Sequence, residues 1–293
     1  MFRRVTIIGT GLLGGSLARE LRAKDLAQEI VAVCRSKATA EQVLSENIAD
    51  QVLPLELAVK ESDLIVLATP MQTMLPIIKS LEGVVSEQVI LTDVGSVKTD
   101  LYGAIKENCP ALLQQFVLAH PIAGGEDSGV MASKLNLFEN KAVVITDTAE
   151  VDASHTETVR QMWLHTGANV VNMSLQEHDA IFAKTSHLPH IIAFGLVNFL
   201  RQQEDSERLF NLAAAGFYDF TRIASSNAEM WRDICITNRD EVLHAIDGFK
   251  NQLESIRSQV AEADQDAILT YFGEAKKARD LGLSKKAESR HKG

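Results

Sequence analysis

The chain has 293 residues, a formal net charge of −10 and a hydrophobic fraction of 46%. This length allows two domains with a large core, and the acidic balance argues against a nucleic-acid partner, which needs a basic surface. The N-terminus lacks the apolar run of a signal peptide, and no apolar run approaches the ~18 residues of a membrane span. The three cysteines are scattered, without the spacing of a disulfide framework or a metal site. The composition therefore predicts a globular protein of the reducing cytoplasm.

Short apolar runs alternate with helical stretches through residues 1–173. The predicted strands are 4–9, 30–34, 64–69, 89–94, 116–120, 142–146 and 169–173. Strands that alternate with helices in this way are typical of a parallel sheet covered by helices. We therefore predict an α/β domain of the Rossmann type, with a mostly parallel sheet, over residues 1–173.

Beyond residue 173 the hydrophobic periodicity is helical. The segment DAIFAKTSHLPHIIAFGLVNFL (179–200) is apolar almost all round, as a helix buried in a larger core is. A heptad-like stripe follows, formed by Val242, Ile246, Phe249, Leu253, Ile256 and Val260. Residues 174–280 are therefore predicted to form an all-helical domain that makes a homodimer, and the basic end, 281–293, to be a disordered tail.

A glycine motif opens the predicted sheet domain. Gly9, Gly11 and Gly14 stand in G-x-G-x-x-G order between the first predicted strand and a predicted helix. In dinucleotide sites the first glycine permits a tight turn, the second lets the backbone approach the pyrophosphate, and the third lets helix and strand pack closely. The phosphates then lie on the helix N-terminus, here at Leu12 and Leu13. The motif predicts a nicotinamide dinucleotide site.

The end of the second predicted strand bears on the choice between NAD and NADP. An NAD site usually has an acidic residue here for the ribose 2′-hydroxyl, whereas an arginine suits a 2′-phosphate. This chain has Arg35 and Ser36 and no acid. The pattern slightly favours NADP, although Arg35 stacking beside the adenine of NAD is an alternative.

Polar groups also follow three further predicted strands. Thr69 and Pro70, Asp93, and His120 stand at strand ends, where ligands bind in open α/β sheets. We expect them to converge on the nicotinamide. Ser96, shortly after Asp93, has two interpretations: the N-cap of the following helix, or a ligand of the substrate.

Five segments together resemble the prephenate/arogenate dehydrogenase family of tyrosine biosynthesis. They occur in that family's order, cover the chain from residue 4 to about 260, and are specific only in combination. The segments are GTGLLGGSLA, DVGSVK, HPIAGGEDSG, SHLPH and GFYDFTRIA…MWRDI. The resemblance implies oxidative decarboxylation of a cyclohexadienol: a hydride leaves the hydroxyl-bearing ring carbon for nicotinamide, the ring carboxylate departs as CO2, and the ring becomes aromatic.

The resemblance also implies roles for residues of the HPIAGGEDSG segment. Loss of hydride from a carbinol is easier as its hydroxyl proton is withdrawn, and a neutral histidine suits that task. His120 is then the base, and Ser96 orients it or shares its bond to the hydroxyl. The glycines after His120 let the backbone curl round the ring, and Glu126 lines the entrance.

In the helical half the resemblance implies the substrate-binding residues. Arg222 matches the family's arginine for the ring carboxylate, and Asp219 is either its salt-bridge partner or part of a neighbouring subunit's site. His190 reaches the substrate side chain, while His187, across a kink at Pro189, supports the site. A metal site at this H-x-x-H pair is not favoured, because no third ligand has suitable spacing.

Two nearby features have ordinary structural interpretations. Ser226 and Glu229 have the spacing of a capping box, which needs no functional role. Trp231 is more often a core residue than a ligand, although in the family its region lies near the subunit contact.

Other functions fit the sequence less well. A nucleotide-sensing protein that had lost catalysis would lack the base, yet His120, Ser96 and Arg222 are present. A β-hydroxyacid dehydrogenase would present a catalytic lysine near an asparagine, and Lys184 has no asparagine three or four residues on. We expect prephenate to be the better substrate and arogenate the weaker one, because His190 can donate a hydrogen bond to a keto acid. An arogenate-specific or dual-specificity enzyme remains the alternative.

Overall fold

The computed structural model describes residues 1–125 and 127–290, and it contains one eight-stranded sheet. The strands are β1 (Phe2–Ile8), β2 (Ala27–Val33), β3 (Gln51–Val52), β4 (Leu64–Leu67), β5 (Ile90–Asp93), β6 (Phe116–Pro121), β7 (Ala142–Thr146) and β8 (Asn169–Met173). Their order across the sheet is β3-β2-β1-β4-β5-β6-β7-β8. The predicted Rossmann-type sheet is confirmed, and the seven predicted strands are present.

Thirteen α-helices lie within the described part of the chain. Those that alternate with the strands are α1 (Leu12–Ala23), α2 (Lys37–Ser45), α3 (Leu55–Ala58), α4 (Met71–Leu81), α5 (Thr99–Asn108) and α6 (Ala153–His165). Those after the sheet are α7 (Leu175–Phe182), α8 (Leu188–Arg201), α9 (Ser206–Leu212), α10 (Ala215–Thr221), α11 (Ala228–Thr237), α12 (Arg239–Ala261) and α13 (Gln265–Arg290). A π-helical turn, Ala183–His187, joins α7 to α8.

Burial explains why the central strands are almost purely apolar. The LIVL sequence of β4 is buried throughout, because a parallel sheet is covered by helices on both faces. Leu17 of α1 and Trp163 of α6 belong to the core on one face, and Ile78 of α4 and Leu101 of α5 to the core on the other. Two packed helical layers therefore fix the position of every strand end.

Strand order places a ligand crevice at one edge of the sheet. All neighbouring pairs are parallel except β6 and β7, which are antiparallel. The chain leaves β1 for β2 on one side and later returns to β4 on the other, so the direction of winding reverses between β1 and β4. Ligands bind outside the carboxyl ends of strands at such a reversal. The glycine motif after β1 lies at this point.

The sequence analysis missed β3 and misjudged the chain end. The β3 strand is only two residues long, too short for a hydrophobic pattern, and extends the sheet beyond β2. The predicted disordered tail is corrected, since α13 continues to Arg290.

Within the described residues, 1–239 form one compact unit, so α7 to α11 belong with the sheet, and the chain from residue 240 forms a second unit. The division predicted after residue 173 stays a prediction.

Candidate active site

The turn after β1 has the backbone geometry that a dinucleotide requires. Gly9 has a φ of +93°, and a Cβ there would lie 2.6 Å from the Ala68 carbonyl oxygen. A Cβ on Gly14 would lie 2.0 Å from the Gly9 carbonyl oxygen, so the helix packs against the turn too closely for any side chain. Gly11, the N-cap of α1, faces open space instead and has no side-chain cap. The motif therefore leaves free the helix end that accepts a pyrophosphate.

Two side chains beside this turn also fit a nucleotide. The Thr69 hydroxyl oxygen is buried without a hydrogen-bond partner in the described structure, next to Gly9. Cys34, at the end of β2, lies with its Sγ 3.4 Å from the Thr10 Oγ1. Burial raises the pKa of the Cys34 thiol, which keeps it neutral. An orphaned buried hydroxyl beside an open helix N-terminus is the pattern that a bound polar ligand completes.

Other residues predicted at the cofactor differ in their surroundings. Arg35 is exposed, whereas the Ser36 hydroxyl caps α2 by accepting a hydrogen bond from the Thr39 backbone N–H at 3.1 Å. Pro70 is the N-cap of α4 in an extended conformation. The Ser36 hydroxyl is thus partly used by the helix, while the Arg35 guanidinium faces solvent at the end of β2.

Asp93, also predicted at the cofactor, is surrounded by protein groups in the structure. Its side chain is fully buried, and its carboxylate accepts hydrogen bonds from the backbone N–H groups of Gly95 and Ala119 at 2.8 and 3.1 Å and from the Lys98 ammonium. Lys98 is fully buried too and donates to the Ala119 carbonyl oxygen at 2.8 Å. Burial lowers the pKa of Lys98, against the attraction of Asp93. This ion pair therefore holds both backbone groups of Ala119, the residue before His120.

His120 lies at the carboxyl end of β6 with its ring half-buried. Its Nδ1 is 2.8 Å from Nε2 of His178, and Nδ1 of His178 is 2.7 Å from the Asp179 carboxylate. Phe182, one turn further along, packs edge-on against His120 with ring centroids 5.0 Å apart. One nitrogen of His120 is thus held by α7, which leaves Nε2 for a ligand.

Burial keeps the histidine at this strand end neutral. Burial lowers the pKa of His120 well below 6.5, and the neighbouring His178 and Lys98 lower it further. Burial also lowers the pKa of His178, against the opposing effect of Asp179. A neutral imidazole in contact with solvent on one side is the form in which histidine acts as a general base.

Ser96 is not the N-cap of the following helix, which was one of its two interpretations. Among the described residues its hydroxyl makes no hydrogen bond, and α5 begins at Thr99 with Lys98 as its N-cap. The cap comes from a distant residue: the Asp179 carboxylate accepts hydrogen bonds from the backbone N–H groups of Lys98 and Thr99 at 3.0 and 2.8 Å. In the structure, His178 rather than Ser96 orients His120. Ser96 is half-buried, and its role toward a substrate stays a prediction.

The two histidines of SHLPH have different environments. His187 is buried, and the Asn238 amide donates to its Nδ1 at 3.1 Å and to the Asp179 carbonyl oxygen at 3.0 Å. Burial lowers the pKa of His187 to about 4. His190 is half-buried and stacks on Trp231 with ring centroids 3.7 Å apart. His187 therefore supports the interior, while His190 retains a partly open face.

The hydrogen bond of His190 corrects the role inferred for it. Its Nδ1 lies 2.9 Å from the Ser186 carbonyl oxygen, which only accepts, so Nδ1 carries the proton. Burial lowers the pKa of His190, which favours the neutral ring, and Nε2 is then an acceptor rather than the expected donor. The donor beside it is Trp231, whose indole Nε1 is buried without a partner in the described structure. Trp231 is also buried in a core cluster with Val97 and Ile234, as was expected.

The remaining predicted residues lie on and around α10. Arg222 follows α10 directly and is exposed. Asp219 is exposed as well and forms no ion pair with another described residue. Glu126 lies outside the described residues. The predicted capping box is wrong, because Asn227 caps α11 by accepting from the Met230 backbone N–H at 2.9 Å, while Ser226 donates to the Ile223 carbonyl oxygen.

The histidine-bearing helix has one further property. Leu175–Arg201 is long and apolar enough, by length and composition, to span a membrane. It contains His178, Asp179, His187 and His190, which make the polar contacts described above. No group of three metal-ligating side chains occurs among the residues that the structure describes. In the described structure only 22% of its most apolar 18-residue window is buried, and within α8 only Ala193 is buried. The expectation that this segment is enclosed in a larger core is therefore wrong.

The residues that sequence reasoning missed are His178, Asp179, Lys98 and Asn238. The signal for two of them was present in the sequence, since His178 and Asp179 come directly before the apolar run that begins at Ala180. Buried polar residues need partners, and such a pair in an apolar helix indicates a hydrogen-bonded network. Asn238 is 51 and 59 positions from its partners His187 and Asp179, a pairing with no local signature.

Comparisons with known proteins agree with this geometry. A family model described as the prephenate dehydrogenase nucleotide-binding domain matches residues 17–172, and the prephenate dehydrogenase dimerization domain matches residues 174–274. A prephenate dehydrogenase of Bacillus subtilis is 34% identical over 282 residues, 94% of this chain and 75% of that protein. A cyclohexadienyl dehydrogenase of Zymomonas mobilis is 32% identical over 282 residues, 95% and 96% of the two chains.

Structural comparison gives the same result. The crystal structure of prephenate dehydrogenase from Aquifex aeolicus in complex with hydroxyphenyl propionate and NAD+ is similar with a TM-score of 0.90. The sequence identity is 34%, and the match covers 96% of this chain and 98% of that one. The chain belongs to the prephenate dehydrogenase family.

Proposed function

We propose that the protein is an NAD(P)-dependent prephenate dehydrogenase of tyrosine biosynthesis, which converts prephenate to 4-hydroxyphenylpyruvate. The observation that carries this proposal is His120. It lies at a strand end on the edge of the sheet that carries the glycine turn, is held neutral by burial, and has one ring nitrogen bound to His178 and the other available. A base in this position suits an alcohol that loses hydride to a dinucleotide.

In the proposed reaction the protein's own residues carry out one proton transfer, from the substrate hydroxyl to His120. As hydride leaves the hydroxyl-bearing ring carbon, the hydroxyl proton passes to Nε2 of His120. The ring carboxylate leaves as CO2, and the electron pair of the broken C–C bond enters the ring, which becomes aromatic. The phenolate oxygen then recovers a proton from His120, so the base returns to its starting state. Ser96, half-buried without a hydrogen-bond partner in the described structure, is placed to bind the same hydroxyl.

The cofactor is NAD or NADP, which accepts the hydride when bound. The residues that would hold it are the glycines of the turn, the adjoining Leu12 and Leu13, and Thr69, whose buried hydroxyl has no other partner in the described structure. The preference for NADP rests on Arg35, which is exposed at the end of β2 where an NAD site has an acid. Arg35→Ala is expected to raise KM for NADP about tenfold and to leave KM for NAD within about twofold.

The substrate has two carboxylates, and the helical half supplies the groups that would bind them. Arg222 is assigned to the ring carboxylate, which a planar guanidinium binds through two hydrogen bonds. The unpartnered Trp231 indole N–H is assigned to the keto-acid side chain. Glu126 is assigned to the entrance, and Asp219 to a salt bridge with Arg222 or to a neighbouring subunit's site.

A second candidate substrate is favoured by one observation. The neutral His190 offers an acceptor at Nε2, because its Nδ1–H is held by Ser186. An acceptor suits the ammonium of arogenate better than the keto group of prephenate. Initial rates with prephenate and arogenate, each with NAD and NADP, decide between the substrates. Prephenate turnover supports the proposal, and turnover of arogenate alone would replace it.

The variant that tests the role of His190 in substrate choice is His190→Ala. If His190 selects between the side chains, the variant changes the ratio of kcat/KM for the two substrates, whereas general damage lowers both alike. An unchanged ratio would remove His190 from substrate selection and leave Trp231 as the residue to test.

The same proposal includes a homodimer. Along the heptad-like stripe, Leu253 and Val260 are 51% and 61% exposed, and on α8 Phe199 is 62% exposed. Apolar surface of this kind normally contacts protein, and the matched dimerization domain includes all three residues. Sedimentation at micromolar concentration should give twice the chain mass, and a monomer would contradict this. The cytoplasmic location stays a prediction.

A further inference from the structure

Three side chains form a hydrogen-bonded chain that ends at the catalytic histidine. The Asp179 carboxylate contacts Nδ1 of His178 at 2.7 Å, and Nε2 of His178 contacts Nδ1 of His120 at 2.8 Å. His178 is fully buried and Asp179 is 2% exposed, so water does not compete for these bonds. Neither residue belongs to the motifs that predicted the site.

The direction of each hydrogen bond follows from the chemistry of the groups. An ionised carboxylate only accepts, so Nδ1 of His178 carries the proton that it donates to Asp179. In the neutral ring Nε2 of His178 then has a lone pair and accepts. Nδ1 of His120 is therefore the donor in the second bond, and Nε2 of His120 carries no proton. That is the tautomer in which His120 is able to take a proton from a substrate.

Asp179 is itself held in place by several donors. Its two oxygens accept from the backbone N–H groups of Lys98 and Thr99 as well as from His178. Burial raises the pKa of Asp179, but these hydrogen bonds more than offset burial and keep the carboxyl ionised. The Asn238 amide also donates to the Asp179 carbonyl oxygen at 3.0 Å. Asp179, where the series of hydrogen bonds begins, is thus fixed through both its side chain and its backbone.

We propose that His178 and Asp179 are positioning residues that fix the tautomer of His120 and so present the unprotonated Nε2 to the substrate hydroxyl. Without them His120 would populate two tautomers, one protonated at Nδ1 and one at Nε2. Only the tautomer protonated at Nδ1 is a base toward the substrate. The inference rests on the proposed function for its kinetic consequences. The tautomer itself is a property of the protein alone.

Two substitutions at one position separate tautomer control from packing. Asn at 178 keeps an amide N–H near the place of Nδ1, toward Asp179, and removes the acceptor for His120. Gln at 178 is longer and brings an amide oxygen to the place of Nε2, where it accepts from His120. His178→Asn is expected to lower kcat by roughly 10²-fold with KM within about threefold, and His178→Gln to retain kcat within about tenfold of wild type.

A third variant tests the carboxylate. Asp179→Asn leaves one oxygen for three donors, so either the helix cap or the bond to His178 loses its acceptor, and kcat is expected to fall at least about tenfold. Asp100→Asn is the matched control. It removes a carboxylate from the same end of α5, yet Asp100 makes no hydrogen bond to His178, and its kcat should equal that of wild type.

The tautomer is measured without substrate in protein labelled with ¹⁵N-histidine. Long-range ¹H–¹⁵N spectra distinguish a protonated Nδ1 from a protonated Nε2, and the His120 signals are assigned as those missing from His120→Asn. Wild type should show His120 protonated at Nδ1, and His178→Asn should show a mixture. A His120 protonated at Nε2 in wild type, or a His178→Asn enzyme with wild-type kcat, would overturn the inference. Absence of prephenate turnover in wild type would instead overturn the proposed function, while the spectra still decide the tautomer.

Discussion

The glycine turn after β1 and the histidines around β6 show two ways of building a site. The turn depends on backbone space: Gly9 and Gly14 are fixed by contacts within a short stretch and by the neighbouring strand end at Ala68. The histidine cluster is defined as His120, His178, His187 and His190. It depends instead on side-chain contacts between residues far apart in the sequence: His120 and His178 are 58 positions apart, and His187 and Asn238 are 51 positions apart. The first therefore has a local sequence signature, and the second becomes visible only in the fold.

The two regions also differ in what they tolerate. A side chain at Gly9 or Gly14 would meet backbone atoms, which do not move aside. A side chain in the cluster is exchangeable for another that offers the same donor or acceptor. Substitutions should consequently harm the turn through folding and cofactor binding, and harm the cluster through the chemical step with little loss of fold.

The largest effect is expected at the centre of the cluster. His120→Asn removes the base, and because general-base help contributes roughly 10²- to 10⁴-fold, kcat should fall at least about 10²-fold with KM nearly unchanged. Steady-state rates with prephenate provide the measurement, and the thermal midpoint shows whether the fold is intact. A variant with near-normal kcat would remove His120 from the mechanism.

A pair of glycine variants sharpens the contrast at the turn. Gly14→Ala places a Cβ 2.0 Å from the Gly9 carbonyl oxygen, so the helix must shift, at a cost of about 1–3 kcal/mol of unfolding free energy. Gly11→Ala meets nothing within 4 Å and should leave stability unchanged while raising KM for the cofactor. Urea unfolding and cofactor titration measure the two effects. Equal stability of both variants would show that close packing at Gly14 is not needed for the fold.

The features that could be predicted from the sequence are those that depend on local patterns, as the glycine turn does. The Rossmann-type sheet and the glycine turn were predictable because strand periodicity and the G-x-G-x-x-G spacing are local properties. The partners of Asp93 were not, since its clamp depends on Lys98 and on the Ala119 peptide of another strand. Ser96 was assigned a cap that Asp179 provides from 80 residues away. Local patterns thus pointed to His120 as the candidate base, and only the fold identified the residues that hold it.

A smaller effect is expected outside both regions, at Arg222. If Arg222 binds the ring carboxylate, Arg222→Lys should raise KM for prephenate about tenfold, because an ammonium cannot reproduce the two parallel hydrogen bonds of a guanidinium. The kcat should change much less than in His120→Asn. Saturation curves for both variants measure the difference. Equal KM for Arg222→Lys and wild type would place the carboxylate elsewhere.

The smallest expected effect is on the pH dependence of the unfolding free energy. The histidine cluster should contribute to this dependence, whereas the glycine turn contains no titratable side chain. Burial is the main cause of the lowered pKa of His120, His178, His187 and His190, to about 4 for His187. Unfolded histidine titrates near ~6.5, so below that pH the unfolded chain binds more protons than the folded one. The histidines' contribution to the unfolding free energy is therefore fully retained above pH ~6.5 and lost as pH falls, by up to about 1.4 kcal/mol per pH unit for each histidine.

Urea unfolding between about pH 7.5 and about pH 5.5 should show this slope in wild type. The slope should be shallower in His187→Gln, whose amide does not titrate in this range. His165→Gln, which replaces an exposed histidine of α6, serves as the control and should keep the wild-type slope. A slope unchanged in His187→Gln would mean that His187 contributes nothing to the acid sensitivity of the fold.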